Sequence, residues 1–143
     1  MKKLNIVFLC LTVLVPLGIS DVFALEAEVS EEASEEVRTL AAREKLGKEA
    51  SSVILYAKGL CCPSCAIGVR KLVSKLDFVD RKRFNKGVEL DTKTQLVTVA
   101  IKESEVVDLK SLSEAVFDAG YDPVRSYRLD DGNLLTEPLA ADS

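Results

Sequence analysis

The chain has 143 residues, enough for one small domain with appendages, since domains cluster near roughly 100 to 150 residues. Nineteen basic residues against 23 acidic ones give a formal charge of -4 with no basic run, which argues against nucleic acid as a partner. There is no histidine, and Met1 is the single methionine, so the chain lacks both the usual general base near neutral pH and thioether ligands; a soft metal would have to be held by cysteine sulfur.

The first 24 residues read as a secretory signal peptide. Lys2 and Lys3 precede an apolar stretch over 4–19, and Val22-Phe23-Ala24 ends in the small residue that a cleavage point needs. Asn5, Pro16 and Gly18 interrupt that stretch, which is shorter than the roughly 20 residues of a spanning helix. Cleavage after Ala24 therefore gives an exported protein, periplasmic or extracellular, with no membrane attachment. It also discards Cys10 and makes the net charge one unit more negative. Three cysteines remain, Cys61, Cys62 and Cys65. An odd number in an oxidising compartment makes a poor structural staple and a reasonable reactive or metal-binding set.

Residues 25–50 read as an acidic linker, solvated or partly helical. Six glutamates fall within 26–36 without a basic residue, and Arg38, Arg43, Lys45 and Lys48 follow, an order that suits a helix dipole. The apolar stripe through Val29, Ala33, Val37, Leu40 and Ala41 is thin, so the expectation is a spacer with a solvated charged face.

The domain is expected over 51–129. Residues 52–57, Ser-Val-Ile-Leu-Tyr-Ala, are β-branched and aromatic and predict a first strand, and Gly59 lets the backbone turn out of it. After the cysteines, Ala66, Val69, Leu72, Val73 and Leu76 recur at helical spacing, with Pro63 suited to the first turn. Charged residues over 77–87 predict an enlarged loop. Residues 88–91 and 95–101 alternate as two strands of a hairpin around a turn at 92–94. Asp108 caps a second helix whose Leu109, Leu112, Ala115, Val116 and Ala119 face inward, and Gly120 stops it. A fourth strand over 124–128 completes the domain, and 130–143 read as a loose tail. Strand, helix, strand, strand, helix, strand is the split βαβ order of an α+β ferredoxin-like sandwich, two helices on a four-stranded antiparallel sheet. A core of this size holds no pocket for an organic substrate, so the activity belongs to a surface loop.

That loop is Gly59-Leu60-Cys61-Cys62-Pro63-Ser64-Cys65. Two cysteines separated by two residues at a helix start can turn both sulfurs toward one point, and the helix N-terminus favours thiolate, the metal-binding form. Sulfur-only ligation selects Cu(I) or Hg(II); Zn(II) or Cd(II) fits less well, because a closed tetrahedral site needs a fourth ligand that this stretch does not offer. Cys61 is either a third sulfur or a buried, inert thiol.

These residues resemble the glycine, methionine, any residue, Cys-x-x-Cys signature of the heavy-metal-associated domain family, found in copper chaperones, metal-transporting ATPases and periplasmic mercury-binding proteins. The resemblance extends over about 53–127 and includes Asp118-Ala119-Gly120-Tyr121, similar to the family's end of the second helix. It implies a soft-metal carrier with Cys62 and Cys65 as ligands, Tyr121 beside the metal loop, and Leu60 at the family's methionine position, a volume-conserving exchange. The exported mercury-binding members resemble this chain most. The partner so implied is a metal-transporting membrane protein or another carrier, with a metal-bridged homodimer as a further arrangement. Cys61 stands where Thr, His or Asp is more usual, and 77–87 is longer than the family norm.

Two other readings stay open. Cys62-Pro-Ser-Cys65 also suits a redox dithiol of a thiol-disulfide oxidoreductase, although the elements after it lack the further βαβ content expected there. A degenerate domain serving as an interaction module would tolerate serine at all three cysteines. The carrier, a binding protein and not an enzyme, is the favoured reading.

Overall fold

The structure is a computed structural model that describes residues 32–49 and 51–139, apart from the side chain of Cys65. The signal-peptide assignment, Cys10 and the first part of the acidic linker lie outside the described residues. No helix among the described residues is long and apolar enough to cross a membrane.

The elements run α1 (Glu35–Lys48), β1 (Ser52–Lys58), α2 (Cys65–Val73), β2 (Val88–Asp91), β3 (Leu96–Ala100), α3 (Leu109–Asp118), β4 (Asp122–Asp130) and β5 (Asn133–Pro138). The five strands form one sheet in the order β2-β3-β1-β4-β5, and every pairing is antiparallel. Strands β1 to β4, in the order β2-β3-β1-β4, are the split βαβ arrangement expected from the sequence. Strand β1 lies at the centre, with Val53 opposite Val99 of β3 and Leu55 opposite Ser126 of β4.

Alternation along β1 divides its side chains between two cores. Val53, Leu55 and Ala57 join Val69 and Val73 of α2 and Leu112, Ala115 and Val116 of α3 on one face. Ile54 and Tyr56 join Leu96, Tyr127 and two residues of α1, Ala42 and Leu46, on the other. The strand is therefore buried on both sides, and its unbroken apolar run over Val53–Ala57 reflects this.

Two expectations are corrected here. The region before the domain is helical in its second half, in line with the partly helical expectation, but it is not a free spacer there. Ser34 caps α1 with its side chain, and the helix lies across the sheet face opposite α2 and α3, making three layers. Ala42 is 0% exposed and Leu46 4%. An aromatic, apolar sheet face needs cover, and this need outweighs the thinness of the helix's apolar stripe. The residues after 129 are not all loose either. Asp131 and Gly132, at φ 47 and 81, form a two-residue turn of the primed type that sends β5 back along β4, with Asp130 opposite Asn133. The Asp-Gly pair is the sequence signal for this hairpin. Among the described residues the sheet consequently has five strands and the fold three helices.

The enlarged loop over 77–87 is partly built into the domain. Phe78 and Val79 are buried, Val79 bridges to Ile101, and the Asp80 N–H donates to the Ala100 carbonyl at 2.9 Å. Gly87 closes the loop at φ 85, with no space for a side chain.

Candidate metal-binding loop

The central strand ends at Lys58, and Gly59 at φ 89 turns the chain away from it. The Leu60 N–H donates back to the Ala57 carbonyl at 3.3 Å, and the Leu60 side chain drops fully into the core shared with α2 and α3. This buried residue anchors the loop. Cys61 and Cys62 follow directly, at positions where an inward side chain is succeeded by outward ones.

Cys61 is an exposed free thiol. That excludes the buried, inert alternative, and burial does not raise a barrier to its reaction. Cys62 is half-buried and held in a disulfide. Its Sγ lies 3.2 Å from the Ser64 Oγ. Ser64 sits at the cap position of α2 without using its hydroxyl to cap the helix, which leaves that hydroxyl to Cys62. The helix begins instead with tight turns, Ala66 N–H to the Pro63 carbonyl and Ile67 N–H to the Ser64 carbonyl, both 3.2 Å. Its first turn carries no acidic residue, so the positive end of the helix meets the cysteines unopposed.

The backbone of Cys65 opens α2, while its side chain lies outside the described residues. Among the described residues, no three His, Cys, Asp or Glu side chains come together as a metal-binding group.

Tyr121 approaches the loop from the other helix. Helix α3 ends at Asp118; Gly120 at φ 92 donates its N–H to the Phe117 carbonyl at 2.8 Å and Tyr121 to the Val116 carbonyl at 3.3 Å. A helix stop of this left-handed kind throws the next residue across the helix end. The Tyr121 ring thereby lies next to Gly59, where a Cβ would stand 3.9 Å from Cδ1, an ordinary contact. Gly68 and Ala119 bring α2 and α3 close together just behind the loop, the carbonyl of Ala119 being 3.8 Å from where a Gly68 Cβ would stand.

Three further residues were given no role by spacing or motif. Ser64 is the hydroxyl partner of Cys62. Ile67 and Phe117 are large apolar residues left 67% and 60% exposed on α2 and α3. Their signal in the sequence is a negative one: both stand off the inward stripes of their helices. Grooves of about 470 Å³ between α3 and β5 and about 530 Å³ between α1 and the β2–β3 hairpin are lined by no cysteine.

Comparison with known proteins gives the same region. The family model described as the heavy-metal-associated domain matches residues 54–122. No curated protein matches the chain. Among solved structures, a CopZ metallochaperone is similar at 26% identity, covering 52% of this chain and all of its own, with a TM-score of 0.43. The yeast copper transporter domain CCC2A, solved in apo and Cu(I)-loaded states, is similar at 23% identity, covering 57% of this chain and 99% of its own, with a TM-score of 0.42.

Proposed function

We propose, from the premise that this chain carries a heavy-metal-associated domain over residues 54–122, that it is an exported soft-metal carrier whose cargo is held by the thiolates of Cys62 and Cys65. The observation that carries the reading is the loop itself: cysteine sulfur is the only soft donor offered, at the positive end of α2 and open to solvent. Such a donor set selects Cu(I) or Hg(II) over hard cations and over Zn(II), which would need further ligands. Cys61, exposed and adjacent, is the candidate third sulfur.

Carriage requires the loop to be reduced. A dithiol reductant converts the Cys62 disulfide into two thiols and is itself oxidised to a disulfide. Binding a soft ion to two thiolates then releases two protons. The Ser64 hydroxyl at 3.2 Å can donate to the Cys62 sulfur and favours its thiolate. Delivery follows by ligand exchange, in which an incoming thiolate from a metal-transporting membrane protein or another carrier bonds to the ion as one of the two sulfurs leaves. An open loop suits that exchange, because both sets of sulfurs must reach the ion together. A metal-bridged homodimer is the same geometry with a second copy as the incoming partner. Export to the periplasm or cell exterior follows from the sequence of residues 1–24.

The test is metal content of protein purified from its native compartment, followed by competition among Cu(I), Hg(II) and Zn(II) for the reduced chain. The reading expects Cu(I) or Hg(II) to displace Zn(II); a preference for Zn(II) contradicts it.

The Cys62 disulfide favours one second reading, a thiol-disulfide oxidoreductase. Metal-independent insulin reduction at a useful rate, lost on Cys62→Ser, would establish that reading in place of the carrier.

A further inference from the structure

The sheet face beneath α1 is covered by a helix that meets it more by charge than by packing. Only Ala42 and Leu46 of α1 are buried there, against Ile54, Tyr56, Leu96 and Tyr127. Ala41 adds a partly buried apolar contact, and most of the rest is polar and spread along the helix. At its start, Glu35 pairs with Arg125 of β4, and the Tyr56 hydroxyl donates to Glu32. One turn on, the Arg38 guanidinium lies 3.8 Å over the Tyr56 ring. Toward its end Lys45 pairs with Glu89 of β2, and Glu49, just past the helix, pairs with Arg83 at 3.0 Å.

This fit is specific and incomplete. Among the described residues, Nε and Nη1 of Arg38 are buried without a hydrogen-bond partner, a cost that the Nη1 ion pair with Glu32 at 3.8 Å and the stacking on Tyr56 offset only in part. A 14-residue helix has little stability of its own in water, so α1 exists as a helix chiefly while docked. Two buried side chains in fourteen residues are thin anchorage for a helix, and thinly anchored elements open before the core does. Its opening uncovers a face rich in aromatic and aliphatic side chains that needs cover again.

We propose that this sheet face is a helix-docking surface for the α1 of a second copy of the chain, which α1 fills in cis when copies are dilute. The charge pattern commits the surface to that occupant. An incoming helix needs an acidic residue to meet Arg125, a cation one turn later to stack on Tyr56 and a second cation after two further turns to meet Glu89, and α1 supplies all three in that order. Recognition is of the helix-in-groove kind, with Ala42 and Leu46 as the apolar anchors. The resident helix competes as a tethered ligand at an effective concentration on the order of millimolar, so exchange becomes visible only when its own hold is weakened.

The experiment uses the full chain and a fluorescently labelled peptide of residues 32–49. Leu46→Asp in the chain loosens its own α1, and binding of the wild-type peptide is read by anisotropy. Saturable binding to the Leu46→Asp chain, much weaker to the wild-type chain, is the result expected. Adding Arg125→Glu to the chain should weaken the wild-type peptide by roughly three- to tenfold, and a Glu35→Arg peptide should restore binding. Where Leu46→Asp prevents folding, Leu46→Ala serves in its place. Failure of the peptide to bind either loosened chain while its sheet is intact by circular dichroism overturns the proposal. So does binding that is indifferent to the charge exchange, which would mark the face as a general apolar surface.

Discussion

Gly87 offers the sharpest quantitative test of the architecture behind the loop, because the structure separates two costs of giving it a side chain. At φ 85 any L-residue pays for the left-handed conformation, roughly 1–2 kcal/mol. A Cβ would also stand 2.4 Å from Val79 Cγ1 and 2.9 Å from the Asp80 carbonyl oxygen. Val79 is fully buried and the Asp80 carbonyl is backbone that accepts from Arg83, so neither can withdraw freely. Overpacking of this kind costs about 1–3 kcal/mol, giving about 2–5 kcal/mol in all for Gly87→Ala. Gly120 is the control: its φ is 92 and a Cβ there meets nothing within 4 Å, so Gly120→Ala should show the conformational cost alone. Urea denaturation of the two variants and the parent, read as midpoint shifts at constant slope, measures both. The difference between them isolates the packing of 77–87 against β2. Equal losses in the two variants would refute the described placement of Val79 and Asp80.

Other outcomes follow from the same structure. Leu60→Ala, which empties a fully buried position directly before the cysteines, should cost about 2–5 kcal/mol by urea denaturation, while Leu60→Met should cost less than about 1.5. The Tyr56 hydroxyl is pushed up to about 12, first by burial and then by its hydrogen bond to Glu32. Its contribution is whole below its ordinary value of 10.0 and is lost as pH rises through about 12, so absorbance at 295 nm should show a late-titrating tyrosine whose ionisation accompanies loss of α1 helicity. Asp108 is held below its ordinary carboxylate value, chiefly by the Ser111 hydroxyl and N–H. Its contribution is present above the ordinary value and lost as pH falls through the lowered one, so Asp108→Ala should flatten the acid limb of the stability profile.

Much of the inner fold was legible because local signals and tertiary need agreed. Strand β1, the 88–101 hairpin, the Asp108 cap and the Gly120 stop each carry their own chemistry, and each appears within a residue or two of its expected place. Docking of α1 was hidden because it depends on the far side of the sheet. The helix stripe is thin, and the evidence for a second covered face lay instead in β1, whose Ile54 and Tyr56 are as apolar as its inward residues. Strand β5 was hidden by composition, since Asn133, Glu137 and Pro138 suit an edge and also suit a tail; the Asp131-Gly132 turn decides between them. At the loop, spacing pointed to the cysteines and the family resemblance to Tyr121, whereas the contact of Ser64 needed coordinates, because a serine before a helix ordinarily reads as its cap.

The central claim is that this loop carries a soft metal through Cys62 and Cys65. Its most direct test is anaerobic titration of the fully reduced chain with Cu(I) against a competing chelator, following thiolate charge-transfer absorption, with Cys62→Ser, Cys65→Ser and Cys61→Ser alongside. The account predicts about one ion per chain for the parent, lost in Cys62→Ser and in Cys65→Ser, with Cys61→Ser reporting on the third sulfur. Absence of binding by the reduced parent, or undiminished binding after Cys62→Ser, would contradict it.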